Sequence, residues 1–337
     1  MLFRSRRIFP HRTDRLIIAA SVELTAPALK LIMRHRIDTI FISKNGLFNG
    51  RLDFQDSKNV FLRKRQYELL ADENAQIKLV AALIQGKIRN QISFMQRIGR
   101  KLDDQDIERA IHSAQGNLEN VEGASNINSL RGYEGYGSRL FFSVFKKNIN
   151  PDWANFQGRS MHPPKDNVNA VLSFLYTLLL YRVDAAIETE GLDPYVGYLH
   201  TIGYGKRALT FDLMEEYRTS ICDTLCCALF NLGILKQDDF EKKEFDISDE
   251  DALLEAPLGD AEGQQPAASI DPEYGVLLTK EGLKKVAGKF EEKMETLILY
   301  PPESERLSYQ RIILAQVQHY KRVIMGSEPA YQPFILK

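Results

Sequence analysis

The chain has 337 residues, 44% of them hydrophobic and 26% charged, with a formal net charge of −1. These are the values of an ordinary soluble globular protein of one large core or two domains, and they exclude a single small fold. The three cysteines, Cys222, Cys226 and Cys227, share one apolar stretch with no CxxC pair. That excludes a disulfide framework or a zinc site and predicts buried thiols in a reducing cytoplasm.

In chain order, MLFRSRRIFPHRTDR is basic but has no apolar run, so it is not a signal peptide. RLIIAA predicts a strand. TAPALKLIMRHR has helical period with Thr25 as its N-cap. DTIFIS-KNG-LFNGRLDF predicts two strands joined through Asn45-Gly46, a pair that tolerates the positive φ angles of a tight hairpin. Beyond residue 60 the pattern becomes helical, with periodic stretches at 104–122, 126–146, 166–190, 210–235, 279–299 and 304–325. The prediction is α+β: a small N-terminal β-rich domain (1–65), a linker (66–76) and a large all-α domain (77–337). The apolar run Val168–Tyr181 is too short for the ~20 residues a bilayer needs and predicts a core helix, so no membrane is implied.

The net charge hides an asymmetry. Residues 237–263 hold eleven acids against Lys242 and Lys243, a local −9 that leaves +8 on the rest of the chain. The segment 237–275 is also rich in Pro, Gly and Ala, and predicts a mobile surface insertion without a role in the core. A basic body fits a polyanionic partner such as nucleic acid.

Three stretches carry candidate chemistry. In GYLHTIGYGKRALTFDLMEEYR, His200 precedes a predicted helix start at Asp212. Asp212, Glu215 and Glu216 fall at i, i+3 and i+4 on one face. Two carboxylates there, with an imidazole, suit a hard divalent cation. The plain alternative is an acidic first turn favoured by the helix dipole, with Glu215 paired to Arg218. In RGYEGYGSRLFF, the lone acid Glu134 sits among small residues ahead of an apolar helix. A buried carboxylate needs a partner: either Arg131 or Arg139, or a shared metal. In GRSMHPPKDNVNAVLSFLYTLLLY, Asp166 is a good N-cap, while His162 has no local partner and receives no metal role.

Taken together and in order, RGYEGYGSRLFF, PPKDNVNAVLSFLYTLL and GYLH followed by LTFDLMEEYR resemble the universal CRISPR-associated integrase family, the spacer-acquisition endonucleases known as the first CRISPR-associated protein. IFPHRTDRLIIAASVELTAPALKLIMRHRIDTIFISKNGLFNGRL and KLVAALIQGKIRNQ resemble the end of that family's β-domain and the opening of its helical domain. The resemblance implies that Glu134, His200 and Glu215 bind Mg²⁺ or Mn²⁺, with Asp212 supporting the catalytic site. Glu216 is expected to face solvent or to pair with Arg218 or Lys206.

The activity implied is a metal-dependent DNA endonuclease and integrase. The 3′-hydroxyl of a prespacer attacks the CRISPR repeat backbone, without a nucleophilic side chain. The partners implied are double-stranded and branched DNA, a homodimer, a dimer of the second CRISPR-associated protein bridging two such dimers, and a prespacer-trimming nuclease, all in a prokaryotic cytoplasm. Arg139, Arg159, Lys165, Lys206 and Arg207 are the candidate phosphate contacts by closeness to the motifs. Two alternatives stand beside this reading: a plain metal nuclease in repair and a catalytically silent DNA-binding scaffold. Where the family has a further pair of strands, only MLFRSRR precedes the matched part. That predicts a short N-terminal sheet, or a truncated or formerly fused chain.

Overall fold

The computed structural model describes residues 9–13, 15–19, 22–42, 48–52, 59–160, 163–245 and 273–336. The expectations for MLFRSRR, for the Asn45-Gly46 turn and for His162 lie outside these residues.

The N-terminal part is one three-stranded sheet in the order β1 (Arg15–Ala19), β2 (Asp38–Ile42), β3 (Phe48–Leu52). β1 and β2 are parallel, so the chain must cross over between them, and α1 (Ala26–His35) is that crossover. Thr25 caps α1 by accepting from the Ala28 amide at 3.4 Å. β2 and β3 pair antiparallel.

The stretch expected as a linker is instead helix, turn and helix. α2 (Val60–Leu69) and α3 (Glu73–Leu102) are separated by a tight turn, and Asp72 caps α3. Gln66, in the last turn of α2, is buried and exchanges hydrogen bonds with the backbone of Asp193, at 3.2 and 2.8 Å.

The helical part is built on α3, whose 30 residues span about 45 Å at 1.5 Å each. α4 (Gln105–Glu122) and α5 (Ile127–Lys147) pack back along it. The Asn126 side chain caps α5. α6 (Asn167–Thr189) is capped by Asp166, as expected, and is apolar on nearly every side. It is long and apolar enough to cross a membrane, but 83% of its most apolar window is buried inside the fold, as for a core helix. α7 (Ala208–Tyr217) continues through a wider π turn at Arg218–Asp223 into α8 (Thr224–Asn231). The helix predicted at 210–235 is therefore two helices about a register change.

Three further expectations are corrected. The helix predicted at 279–299 is α9 (Lys280–Met294), ending before strand β6 (Leu297–Tyr300). The one predicted at 304–325 is strand β7 (Glu305–Ser308) followed by α10 (Tyr309–Ile324), and β6 and β7 form a hairpin. The acidic segment is not structureless at its ends. β4 (Phe240–Phe245) and β5 (Glu273–Leu278) pair over six residues. Asp239 is buried there against Lys285 at 2.7 Å, so this end does join the core.

The sheet is tied to the helices by ions. Arg51 on β3 reaches Asp184 at 2.8 Å and Glu188 at 2.6 Å on α6. Thr210, in the first turn of α7, donates to the other Asp184 oxygen at 2.8 Å. Both carboxylates therefore serve β3, α6 and the entry to α7 at once.

In the core, Tyr176 donates to Asp223 at 2.6 Å, and burial lifts the Asp223 carboxyl from 3.8 to about 6. An unfolded chain gives up this proton near pH 4, whereas the folded chain holds it to about pH 6. The contribution to stability is thus complete at low pH and is lost as pH rises through that window, a span worth about 3 kcal/mol. Asp223→Asn should remove this slope. In urea unfolding, the stability of the variant relative to wild type is expected to climb between pH 4 and pH 7. A difference that stays constant with pH would show that Asp223 is ionised throughout.

Candidate metal centre and nucleic-acid face

All ten residues of α7 are buried, including Asp212, Glu215 and Glu216. The helix starts four residues earlier than expected, so Asp212 is not a first-turn acid. The helix dipole does not account for it.

Asp212 is the acceptor for a whole loop. Its Oδ2 takes the amides of Tyr198 and Leu199 at 2.6 and 2.9 Å. Its Oδ1 takes the amide of His200 at 2.9 Å and lies 2.8 Å from His200 Nδ1. A carboxylate at Nδ1 fixes the proton there, which leaves Nε2 as the basic ring nitrogen. The loop can lie this close only because residue 197 is glycine. A Cβ there would stand 2.5 Å from the Ala208 carbonyl carbon.

Glu134, on α5, is buried as its apolar setting predicted, but neither Arg131 nor Arg139 is its partner. Its Oε1 accepts from Ser138 at 2.8 Å and contacts the ammonium of Lys87 on α3. That same ammonium lies 2.7 Å from Oε2 of Glu215. The other Glu215 oxygen lies 2.9 Å from Arg218, the i+3 pair foreseen as the plain alternative. The Arg218 and Arg159 guanidiniums stand 5.0 and 5.2 Å from the Tyr176 ring.

The structure therefore brings Glu134 and Glu215 to one cationic point, and separately pairs His200 with Asp212. Two links join the pairs. Asp212 and Glu215 are one turn apart on α7, and Arg131, one turn before Glu134, donates to the Leu199 carbonyl at 2.7 Å. Among the described residues no three His, Cys, Asp or Glu side chains close on a single point. The donor chemistry nonetheless fits a hard divalent cation. Two carboxylates already share one positive charge, and the third donor is an imidazole with its tautomer set.

Glu216 is corrected outright. It neither faces solvent nor pairs with Arg218 or Lys206. It is fully buried and accepts from Tyr331 Oη, the Phe334 amide and, at 3.3 Å, Gln316 Nε2. Burial lifts its carboxyl to about 7. Its role is to hold the C-terminal residues onto the back of α7.

The phosphate candidates divide. Arg139 and Lys165 are exposed, and Lys206 is half-buried. Arg159 donates to Asn169 at 2.8 Å, and Arg207 is committed to Asp184 and Glu188 at 2.6 and 3.0 Å. Arg207, partly exposed, is thus tied into the ion network that holds the sheet. Lys87 and Ser138 were missed. The one legible signal was that Lys87 stands on the inward stripe of α3, between Ile84 and Gln91.

Residues 4–253 match the family model described as CRISPR associated protein Cas1. A Thermus thermophilus CRISPR-associated endonuclease Cas1 is 29% identical, covering 96% of this chain and 86% of its own length. A casposase bound to integration product has a TM-score of 0.75 at 20% identity, covering 95% of this chain and 81% of that one. A Cas6-RT-Cas1–Cas2 complex also scores 0.75, at 21% identity, covering 95% of this chain and 32% of that one. The likeness to both structures is one of fold.

Asp212→Ala should leave three loop amides, two of them buried, and an imidazole without their acceptor, at about 1–3 kcal/mol for each buried orphaned group. Chemical denaturation is expected to show a loss of several kcal/mol, and a smaller loss for Asp212→Asn. A change below about 1 kcal/mol for the alanine variant would mean that Asp212 does not hold the loop.

Proposed function

The chain belongs to the CRISPR-associated protein Cas1 family, and on that premise we propose that it is the metal-dependent integrase of CRISPR adaptation, with Glu134, Glu215 and His200 holding Mg²⁺ or Mn²⁺. The observation that carries this reading is the convergence of Glu134 and Glu215 on one buried cation, Lys87, beside the Asp212–His200 pair. When bound, such an ion polarises a non-bridging phosphate oxygen and stabilises charge on the attacking or leaving oxygen.

The chain's own residues supply the setting. Asp212 keeps His200 in the tautomer with a basic Nε2. Ser138 orients Glu134, and Arg218 holds one oxygen of Glu215. The reaction is a transesterification. The prespacer 3′-oxygen bonds to a repeat phosphorus as that phosphorus loses the 3′-oxygen of the neighbouring nucleotide. The attacking hydroxyl gives up a proton and the leaving oxygen takes one, so no external energy source is needed. Water in place of the hydroxyl gives plain cleavage.

Arg139, Lys165 and Lys206 are the phosphate contacts this reading favours, on a body that carries +8 outside the acidic segment. DNA affinity should therefore fall steeply with salt. Full integration needs two strand transfers, hence two active sites at a set spacing. A homodimer joined to a second one through a Cas2 dimer meets that need. The Cas6-RT-Cas1–Cas2 complex, which shares the fold, supports Cas2 as the partner.

The test is joining. The protein with its Cas2 partner, a prespacer bearing 3′-hydroxyls and a plasmid carrying the repeat should form joined DNA in Mn²⁺ or Mg²⁺, and none in EDTA. Glu134→Ala, His200→Ala and Glu215→Ala should each lower the yield by at least about 100-fold, the scale of a lost transition-state interaction. Cleavage without joining would favour a repair nuclease, and full joining by any of the three variants would remove that residue from the site.

A further inference from the structure

Lys87 presents a problem that the proposed site does not absorb. Its side chain is 4% exposed, on the inward stripe of α3. Its ammonium touches Glu134 and lies 2.7 Å from Glu215, the two carboxylates assigned to the metal. Arg218 neutralises the second Glu215 oxygen at 2.9 Å. Two carboxylates and two cations thus already balance in a buried place.

A divalent ion held by Glu134 and Glu215 would draw on the carboxylate oxygens that the ammonium now contacts, since a small hard cation takes its oxygen ligands at about 2.0–2.1 Å. Both cations would draw on the same oxygen lone pairs, and adding a further cation to carboxylates already matched in so dry a setting is costly. The two cannot share the oxygens.

Resting on the metal reading above, we propose that Lys87 is a built-in competitor for the metal, an ammonium that the divalent ion displaces from Glu134 and Glu215 on binding. A lysine suits this exchange. It is a compact charge on a flexible four-carbon stem, so it can leave without disturbing the backbone, whereas the planar Arg218 is fixed by its ring contact with Tyr176. Ser138 remains on Glu134 throughout and keeps that carboxylate aimed while its cation changes. The site then carries its own selectivity: weak or monovalent cations fail to expel the ammonium, and only an ion that binds both carboxylates strongly does so.

The test is Mn²⁺ binding, read by isothermal titration calorimetry or by the loss of the free-ion electron paramagnetic resonance signal, with no DNA present. Lys87→Met keeps the length of the stem and removes the charge. It should bind Mn²⁺ at least tenfold more tightly than wild type, and Mn²⁺ should raise its melting temperature by more. A purely structural lysine predicts the opposite, equal or weaker binding, and that result overturns the proposal.

A second measurement needs no variant. In wild-type protein, acylation of Lys87 by an N-hydroxysuccinimide ester, followed by peptide mass spectrometry, should be several-fold faster in Mn²⁺ than in EDTA. An unchanged rate overturns the proposal even if the variant does not fold. Wild-type protein that binds no Mn²⁺ at all overturns the metal reading, and this inference with it. Mn²⁺ binding without tighter binding by the variant overturns this inference alone.

Discussion

Three carboxylates buried within five residues of one helix set the terms for the rest of this fold. Asp212, Glu215 and Glu216 are each no more than 1% exposed. An ionised carboxylate taken out of water costs several kcal/mol unless it is paired. Each is compensated from a different direction. Asp212 draws in the loop that carries His200, Glu215 draws in Lys87 from α3 and Arg218 from the π turn, and Glu216 draws in the C-terminal residues. The packing around α7 follows from where these partners have to come from.

The C-terminal segment shows how far this reaches. Asn90 donates to the Glu216 and Phe334 carbonyls at 2.8 and 3.0 Å and accepts from the Leu336 amide at 2.8 Å. Pro333 lies so close to α3 that a Cβ on Gly86 would come within 2.5 Å of it. Gly86 precedes Lys87, and Glu216 follows Glu215. The last residues of the chain are therefore pinned against the two helices that supply the cation and the carboxylate, and they fix the distance between them.

Much of this was legible from the sequence where the signal is local. Thr25 and Asp166 cap helices as their side-chain chemistry predicts, and the 3.6-residue period locates α3 to α6. The order of RGYEGYGSRLFF and LTFDLMEEYR singled out Glu134, His200, Asp212 and Glu215. What was illegible depends on partners distant in the chain. β4 and β5 are separated by 27 residues, and nothing in the composition of either announces the other. The β6–β7 hairpin did leave a mark, the Pro301-Pro302 pair that no helix would carry in its interior, and the helical stretches stop on either side of it; but the two short strands flanking the pair were taken into those stretches. Glu216 looks like its neighbours on a helical wheel, and only the fold shows it bonded to Tyr331. Lys87 looks like a surface lysine until the inward stripe of α3 is placed against Glu134, 47 residues away.

The energetics of this cluster also weigh on the choice between an enzyme and a silent scaffold. A buried ion cluster is a poor way to gain stability, because well-packed apolar residues of the same volume are often as good or better. A protein that only had to hold DNA would need cations at its surface, and the proposed contacts Arg139 and Lys165 would need no internal carboxylate for that. Nor does the core offer a covalent route among its cysteines. Cys222, Cys226 and Cys227 are buried, and burial pushes their thiols up, Cys227 to about 12, so none is a thiolate at neutral pH. What remains is a set of hard oxygen donors and one oriented imidazole, maintained at energetic cost. Such a set is costly for a scaffold, and it fits the proposed reading in which a phosphodiester and a divalent ion meet at one point.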